Sequence, residues 1–426
     1  MYKKKQRKIE SFRITGDEKI FKEKMLNWCN RFSIFSFLDS CGYADKYGRY
    51  NCLAAAGTEK KFAGNISAFH HFYEKNNDWL FGHISYDSGA KKGGEETHDG
   101  FGDLLFFQPR VVLILKKSIL IIESVSRPPG DVFQAILQQE IIPAKTGNNQ
   151  KINIRTDIEK EEYIFIIQQL KKHIQRGDCY EINFCIQFFA ENYSINPLEL
   201  FNKLIAVSPN PFSCLYKNEH NFLICASPER FLQKAGRQII SQPIKGTAGR
   251  DLQHEANDNL QKKLLRESRK EQSENVMAVD LVRNDLSRFC EEGSVHVSEL
   301  FGIYTFPQVY QMISTVEGIV PININLSDII DAAFPMASMT GAPKKKVMEL
   351  ISQYEKTKRG IFSGTVGYVS PDKDFDFNVV IRSIVYNNTT KRLSFPVGGG
   401  ITWLCEPEKE YEECLLKASA IRKILE

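Results

Sequence analysis

The feature that most constrains the fold is an alternating apolar stretch directly after an amphipathic helix pattern. From 157 to 176, apolar side chains recur at helical spacing, and Thr156 and Glu159 have the spacing of a capping box. This pattern predicts a helix that ends at Gly177. Residues 180–188 then alternate strictly between apolar and other side chains, which predicts a half-buried β-strand.

Helix and strand patterns also intermix along the rest of the chain. Strands are predicted within 111–122, where two lysines separate a pair of them, and at 221–226, 236–244 and 375–386, and helices at 252–289, 343–356 and 407–425. The order lacks a regular strand–helix–strand alternation. It therefore favours an α+β fold with large sheets over a doubly wound parallel sheet.

The first third of the chain differs in character from the remainder. Residues 1–150 are rich in aromatic side chains, short apolar runs and turn residues, which is typical of strands joined by loops. The polar stretch 144–151 has no periodicity and is interpreted as a linker. We therefore predict a β-rich region over 1–150 and a second region over 151–426.

Composition and charge exclude several classes of protein. A net charge of +4 over 426 residues, with one short basic run at Lys3 to Lys8, gives no reason to expect a nucleic-acid partner. No apolar stretch reaches the roughly 20 residues of a membrane span, and the N-terminus lacks a signal-peptide core, so we expect a cytoplasmic protein. The ten cysteines include no CxxC pair, which disfavours disulfides and zinc.

Two predicted helices carry carboxylates on one face. Glu271 and Glu274 lie three residues apart, and Glu410, Glu413 and Lys417 share a face of the last helix. Acidic helix faces are usually only solvated. Two such faces together could also hold one Mg²⁺, with waters and substrate oxygens completing its shell.

Two glycine-containing segments offer backbone amides to an anion. Thr340 and Gly341 precede Pro343 at a predicted helix start, and Gly398 to Gly400 are three successive glycines. Taken alone, the first segment fits a plain helix cap and the second fits a tight turn or bulge equally well.

Two basic side chains stand in unusual places. Arg382 lies within the predicted strand 375–386, on the side of Asp376 and Asn378, so it needs either an internal carboxylate or a ligand as a partner. Lys245 lies at the end of an apolar run, between Ile244 and Gly246. That ammonium is either a surface charge or a nucleophile.

Taken together, these segments resemble the chorismate-utilising enzymes, a family that contains the first components of anthranilate and aminodeoxychorismate synthases and the isochorismate and salicylate synthases. The matching motifs follow family order over about 157–425 and are GDCYEINF, ASPERFL, QPIKGTAGR, ENVMAVDLVRNDLSR, FPMASMTGAPK, RGIFSGTVGY, FDFNVVIRSI and GGGITWLCEPEKEYEECLLK. The resemblance implies an anthranilate synthase component I-like fold, in which antiparallel or mixed sheets form a sandwich flanked by helices.

The N-terminal third also resembles the two amino-transferring branches. The segments are FLDS at 37–40, GRYN at 48–51 and WLFGHISYD at 79–87. In that family the first of them lies at a tryptophan pocket. Whether tryptophan binds this chain is left open.

The resemblance implies a role for each acidic helix face. Glu274 and Glu413 would bind Mg²⁺ directly, with Glu271 and Glu410 supporting it through water, and the ion would hold a carboxylate of chorismate. The residues implied in substrate binding are Thr247, Thr340, Gly341, Arg382, Gly398, Gly400 and Lys417.

Two further residues would carry the chemistry. Glu229 matches the general acid that assists departure of the C4 hydroxyl of chorismate. Lys245 stands in a PIxGT motif, where the aminodeoxychorismate synthase branch has lysine and the anthranilate and isochorismate branches generally have alanine. The resemblance implies that Lys245 attacks C2 and that ammonia then adds at C4 and expels it, which gives 4-amino-4-deoxychorismate.

Three positions depart from many relatives: Glu181, where the isochorismate and salicylate branches have a lysine base, and Gln311 and Phe362. The sequence contains no glutaminase nucleophile loop, so a separate glutamine amidotransferase is predicted to supply the ammonia. Two alternatives remain, namely anthranilate synthase component I and a noncatalytic regulator that binds chorismate or tryptophan.

Overall fold

The computed structural model describes residues 6–43, 45–89, 99–141 and 152–425. The predicted linker at 144–151 lies outside these ranges, so the boundary between the two predicted regions stays a prediction.

The described residues form twenty strands. In chain order the strands are β1 (Lys8–Arg13), β2 (Ile34–Asp39), β3 (Cys52–Ala63), β4 (Leu80–Ile84), β5 (Leu104–Lys116), β6 (Ile119–Ser124), β7 (Arg155–Thr156), β8 (Glu181–Ala190), β9 (Phe212–Asn218), β10 (Asn221–Ser227), β11 (Arg230–Ala235), β12 (Gln238–Gln242), β13 (Ile244–Gly249), β14 (His296–Thr305), β15 (Val309–Ile319), β16 (Gly341–Ala342), β17 (Thr365–Val369), β18 (Phe375–Asn378), β19 (Ser383–Asn387) and β20 (Arg392–Ile401).

Ten α-helices accompany these strands in the same ranges. They are α1 (Glu18–Cys29), α2 (Ile66–Lys75), α3 (Pro129–Leu137), α4 (Lys160–Gln175), α5 (Pro197–Val207), α6 (Glu255–Glu267), α7 (Arg269–Ser287), α8 (Leu326–Ala333), α9 (Lys344–Tyr354) and α10 (Pro407–Leu425). None of the helices in the described ranges combines the length and the apolarity that crossing a membrane requires.

The strands form two antiparallel runs that meet at β4. One run pairs β4, β5, β3, β2, β9, β10, β19, β20 and β8 in that order, and the other continues from β4 through β17, β18, β11, β12 and β15. Strands β13 and β14 both pair with β15. Every ladder between described strands is antiparallel, so the α+β prediction with large sheets is confirmed.

The first run is buried on both of its faces. On β2, Phe35 and Phe37 join a core shared with helices α1, α3, α4, α5 and α10, whereas Ile34 joins a second core that includes β17 residues. Successive side chains of a strand point to opposite faces, so the second core lies between the two runs. A third core packs α2, α7 and α8 against the second run. Helices therefore flank a sandwich.

Strand β8 is more buried than its alternation predicted. The apolar side chains Ile182 and Phe184 join the helix-covered core, but Glu181, Asn183 and Gln187 on the opposite face are also buried. The half-buried prediction is wrong because other segments contact the polar face: the Asn183 side chain donates to the Ser338 carbonyl at 3.0 Å, and the Glu181 side chain accepts from Lys245. The polar side chains there lie in the interior.

The predicted helix at 157–176 also begins differently. It starts at Lys160, and the N-cap Glu159 makes no side-chain capping bond, so the predicted capping box is wrong. Thr156 instead accepts a hydrogen bond from the Ile158 backbone at 3.3 Å in a local turn. The end was correct, since Gly177 adopts φ +81° directly after the cap.

Three predicted elements are interrupted. The helix at 252–289 breaks at Ser268, whose side chain caps α7 at the Glu271 amide. The strand at 236–244 divides at Pro243, which has no amide hydrogen for a ladder. The strand at 375–386 divides after Asn378, whose side chain accepts from the Val366 amide at 2.9 Å. The second and third breaks lie next to predicted site residues.

Candidate active site

Lys245 is buried beside a carboxylate. It is the second residue of β13, its side chain is only 13% exposed, and its Nζ donates to Oε1 of Glu181 at 2.5 Å. Glu181, the first residue of β8, is 5% exposed. Of the two readings that the sequence left open for Lys245, the structure rejects the surface charge.

Two glycines make room for this pair. On β20, a Cβ at Gly400 would lie 2.7 Å from Glu181 Oε1 and 3.1 Å from Lys245 Nζ. On β16, Gly341 has φ +141°, and a Cβ there would lie 2.1 Å from the Glu181 carbonyl oxygen. Any larger residue would collide with the pair or with the backbone that carries it. These two glycines therefore allow β20 and β16 to approach Glu181 and Lys245 closely.

The charges around Lys245 outweigh its burial. Burial alone lowers the pKa of this amine, but the attraction and hydrogen bond of Glu181, followed by the charges of Glu274 and Glu229, raise the pKa above its ordinary value. Lys245 therefore rests as an ammonium in the folded chain.

Glu229 lies in the connection between β10 and β11 and is almost completely buried. Burial raises the pKa of its carboxyl to about 7, although a hydrogen bond from Ser338 and the charge of Lys245 oppose the shift. A carboxyl with this pKa holds a proton at neutral pH for part of the time. It can therefore donate that proton to a leaving group.

The two acidic helix faces meet, as their pKa values show. Burial raises the pKa of Glu274 to about 7 and also raises the pKa of Glu271 and Glu410, with further contributions from neighbouring carboxylates. Burial acts in the same direction on Glu413, but Lys417, at 2.7 Å, outweighs it and lowers the pKa. The site thus collects negative charge that is only partly compensated.

This donor set fits Mg²⁺. Within the described ranges, no three His, Cys, Asp or Glu side chains form a group that could hold a metal ion. Mg²⁺ needs fewer protein ligands, because it keeps waters and is usually bound through one or two carboxylates and substrate oxygens. Carboxylates from α7 and α10 would supply those hard ligands, and the uncompensated charge between them is what a divalent cation would neutralise.

Arg382 does not lie in a strand. It falls in the break between β18 and β19 and has φ +50°, and the predicted neighbour Asp376 pairs with Arg230 at 3.0 Å instead. Burial lowers the pKa of Arg382 in spite of the attraction of Glu229. Among the described residues, no hydrogen bond or ion pair engages this guanidinium, and Glu229 is the charge that attracts it.

The other predicted binding residues differ in accessibility. Thr340 is fully buried, its hydroxyl donates to the Met336 carbonyl at 3.1 Å, and its own carbonyl accepts from the Asn183 amide. Thr247 is exposed on β13 opposite Gln311, whose buried Oε1 has no partner in the described chain.

The three glycines form part of a strand and not a turn. Gly398 and Gly400 pair with Cys185 and Asn183 across β20 and β8, and a Cβ at Gly398 would lie 2.5 Å from the Cys185 sulfur. The Gly398 carbonyl accepts from Lys417 Nζ at 2.9 Å. The turn interpretation is therefore wrong: close approach of β8 explains Gly398, whereas a Cβ at Gly399 would lie 3.2 Å from Glu410 and one at Gly400 would meet the Glu181–Lys245 pair.

Sequence reasoning missed three contributors. It treated Glu181 only as a departure from relatives, and it overlooked Ser338, which hydrogen-bonds Glu229, and Lys270, whose pKa the four carboxylates of α7 and α10 raise against the effect of burial. Lys270 directly precedes Glu271, so its charge was visible. The direction in which the Lys270 side chain points was not visible, because the break at Ser268 determines where α7 begins.

A separate cavity of about 240 Å³ lies by two of the N-terminal segments, of which the resemblance placed the first, FLDS, at a tryptophan pocket. Its lining includes Asp39 and Ser40 from FLDS, Arg49 and Tyr50 from GRYN, and Arg230. Arg230 directly follows Glu229, so the backbone connects this cavity to the active site.

Comparison with known proteins agrees with these features. The family model described as chorismate binding enzyme matches residues 43–423. A probable aminodeoxychorismate synthase, chloroplastic, from Oryza sativa is 40% identical over 270 residues, which are 63% of this chain and 30% of that protein. Aminodeoxychorismate synthase component 1 of Escherichia coli is 36% identical over 272 residues, or 64% of this chain and 59% of that protein. The chain thus corresponds to part of each relative.

A solved structure shares the fold. Anthranilate synthase component I from Streptococcus pneumoniae superposes with a TM-score of 0.74 at 22% identity, covering 91% of each chain. The predicted anthranilate synthase component I-like sandwich is therefore confirmed.

Proposed function

We propose, from the premise that this chain belongs to the chorismate binding enzyme family, that it converts chorismate and ammonia into 4-amino-4-deoxychorismate. The observation that carries this proposal is the largely buried Lys245 ammonium, whose charge acts on Glu229, a carboxyl with a pKa of about 7. A pure binding protein needs neither a buried amine nor a proton donor. The amine suits a nucleophile, and the carboxyl suits protonation of a departing hydroxyl group.

In the proposed reaction, chorismate lies between Lys245 and Glu229. Glu229 gives its proton to the departing C4 hydroxyl, which leaves as water, while Lys245 Nζ forms a bond to C2. Ammonia then adds at C4 and the Lys245–C2 bond breaks. The order of events places the new amine where the hydroxyl was and regenerates the lysine.

Basic groups would orient the two carboxylates of the substrate. The guanidinium of Arg382 has no partner among the described residues, and Lys417 reaches the Gly398 carbonyl from α10. Lys417 lies on α10 beside Glu413, and Arg382 is attracted by Glu229. When bound between Glu274 and Glu413, Mg²⁺ would neutralise charge there and hold a substrate carboxylate.

We also propose a separate glutamine amidotransferase as the source of ammonia. The E. coli relative is called component 1, which supports a second component for this chain as well. Free ammonium ions should then replace the partner in solution.

The purified chain should make 4-amino-4-deoxychorismate from chorismate, Mg²⁺ and ammonium, as identified by mass and chromatography. Lys245→Ala should lower that rate about 100-fold or more, because the nucleophile is lost. Chelation of Mg²⁺ should also lower it. Lys356→Ala, which changes an exposed lysine paired with Glu162, is the matched control and should not. Formation of anthranilate, or no product at all, would contradict the proposal.

A further inference from the structure

The Lys245 ammonium has one hydrogen-bond acceptor in the described structure, and that acceptor is Glu181. The contact joins β13 to β8 across 64 residues of sequence. Both side chains are largely buried. Gly400 leaves room for the two charged groups, and Gly341 leaves room for the Glu181 carbonyl. Backbone at Gly400 thus lies close to the ion pair, and backbone at Gly341 lies close to the strand that carries Glu181.

A protonated amine cannot act as a nucleophile, because its lone pair is occupied. Three carboxylates act on the Lys245 charge: Glu181 from β8, Glu274 from α7 and Glu229 from the connection before β11. Of these, Glu229 is committed in the proposed reaction to donating a proton, and Glu274 to the metal ion. Only Glu181 is within hydrogen-bond distance of Nζ.

We propose that Glu181 is the general base that takes a proton from Lys245 before Nζ attacks the substrate. The inference rests on the proposed function. The proton passes from Nζ to Oε1 of Glu181, and the free electron pair of Nζ forms the bond to C2 while Glu229 protonates the leaving hydroxyl. When ammonia has added at C4, the Nζ–C2 bond breaks and Glu181 returns its proton to the departing amine. The incoming nitrogen loses one proton to Glu229, which restores both carboxyls.

This transfer changes the position of a proton and not the number of protons on the pair. A buried ion pair and its neutral form differ only in which atom holds the proton, and burial favours the neutral form by removing water from both charges. The reactive amine can thus form without exchange with solvent. If Glu181 is removed, Lys245 must instead lose its proton to water, so the reaction gains a dependence on pH.

The experiment measures formation of the covalent adduct on Lys245 in chain incubated with chorismate and Mg²⁺ without ammonia. Intact mass should increase by that of chorismate minus water. The rate is measured from pH 6 to 9 for the wild-type chain and for Glu181→Gln. Dividing the variant rate by the wild-type rate cancels the contribution of Glu229, which both chains share.

The ratio should rise about tenfold per pH unit as long as Lys245 in the variant is mostly protonated. A ratio that does not change with pH would overturn the inference, since a purely structural role lowers the rate equally at all pH values. Glu162→Gln, which removes the carboxylate of an exposed lysine pair, is the matched control and should give a constant ratio near one.

A second variant covers the case in which Glu181→Gln fails to fold. Glu181→Asp keeps a carboxylate but shortens its reach, so adduct formation should be at least tenfold slower with a ratio that is constant with pH. An unchanged rate in this variant would overturn the inference. Absence of any adduct in the wild-type chain would overturn the proposed function together with the inference. A wild-type adduct with a ratio that does not change with pH would overturn the inference alone.

Discussion

Two ion pairs with largely buried side chains contact strand β8, and they are built differently. Arg359 pairs with Glu355, with side chains 2% and 6% exposed, and Lys245 pairs with Glu181, with side chains 13% and 5% exposed. Burial is therefore similar. The number of hydrogen bonds is not.

The guanidinium of Arg359 is saturated. Beyond its bonds to Glu355 at 2.6 and 2.9 Å, it donates to the carbonyls of Met339 and Asn183 at 2.7 Å each and lies 4.4 Å from the Tyr86 ring. The ammonium of Lys245 has a single acceptor in the described chain. A saturated network fixes its protons, whereas one short bond between two buried groups leaves a proton free to move along it. The first pair is suited to structure and the second to chemistry.

The largest effect should come from breaking the saturated pair. Arg359→Met should lower the free energy of unfolding by about 3–5 kcal/mol, because Glu355 is left buried without its counter-charge. Unfolding in urea measures the loss. Lys356→Met, three residues earlier, breaks an exposed pair and should cost less than about 1 kcal/mol. Equal losses in the two variants would show that saturation does not distinguish the buried pair.

The next effect concerns Glu229, the proposed proton donor. Glu229→Gln should slow adduct formation about 100-fold, because the leaving hydroxyl is no longer protonated. In the wild-type chain, the rate should fall about tenfold per pH unit above pH 7, where Glu229 loses its proton, and this decline should disappear in the variant. Persistence of the same decline in Glu229→Gln would assign it to another group.

The raised pKa of Glu229 also affects stability. Its carboxyl ordinarily titrates near 4.5 and here titrates near 7, so the folded chain holds this proton more tightly than the unfolded chain. The group therefore stabilises the fold relative to neutral pH when the solution is below about pH 4.5. That contribution is lost as pH rises towards 7. Comparing urea unfolding of the wild-type chain and Glu229→Gln at the two pH values isolates this contribution.

Sequence patterns predicted the elements better than they predicted what covers them. The alternation in β8 located a strand, but periodicity cannot show that Ser338 and Lys245 contact the side chains of its polar face. The last helix was predicted with its bounds because Pro407 begins it and its apolar stripe is local. Breaks at Ser268 and after Asn378 depend on single side-chain bonds, which compete with an otherwise continuous pattern.

The same distinction applies to the site. Lys245 and Glu229 were singled out because their motifs resemble a family, and in the structure the charge of Lys245 acts to lower the pKa of Glu229. The partner of Lys245 was not found, since Glu181 is distant in sequence and only the fold brings the two together. Arg382 was predicted to lie within a strand, but the strand ends at Asn378 and Arg382 adopts φ +50° in the connection that follows.

The smallest effect should come from moving the reactive pair apart without removing either member. Gly400→Ala introduces a Cβ that would lie 2.7 Å from Glu181 Oε1 and 3.1 Å from Lys245 Nζ, so at least one of the two must shift. Adduct formation should fall about tenfold, because a displacement of this size spoils the alignment for proton transfer and attack. Thermal unfolding should change little by comparison. Gly130→Ala, at a glycine with open space around it, is the control and should leave the rate unchanged. A Gly400→Ala chain as fast as wild type would mean that the tight packing around Lys245 and Glu181 serves the fold, as it does at Arg359, and not the reaction.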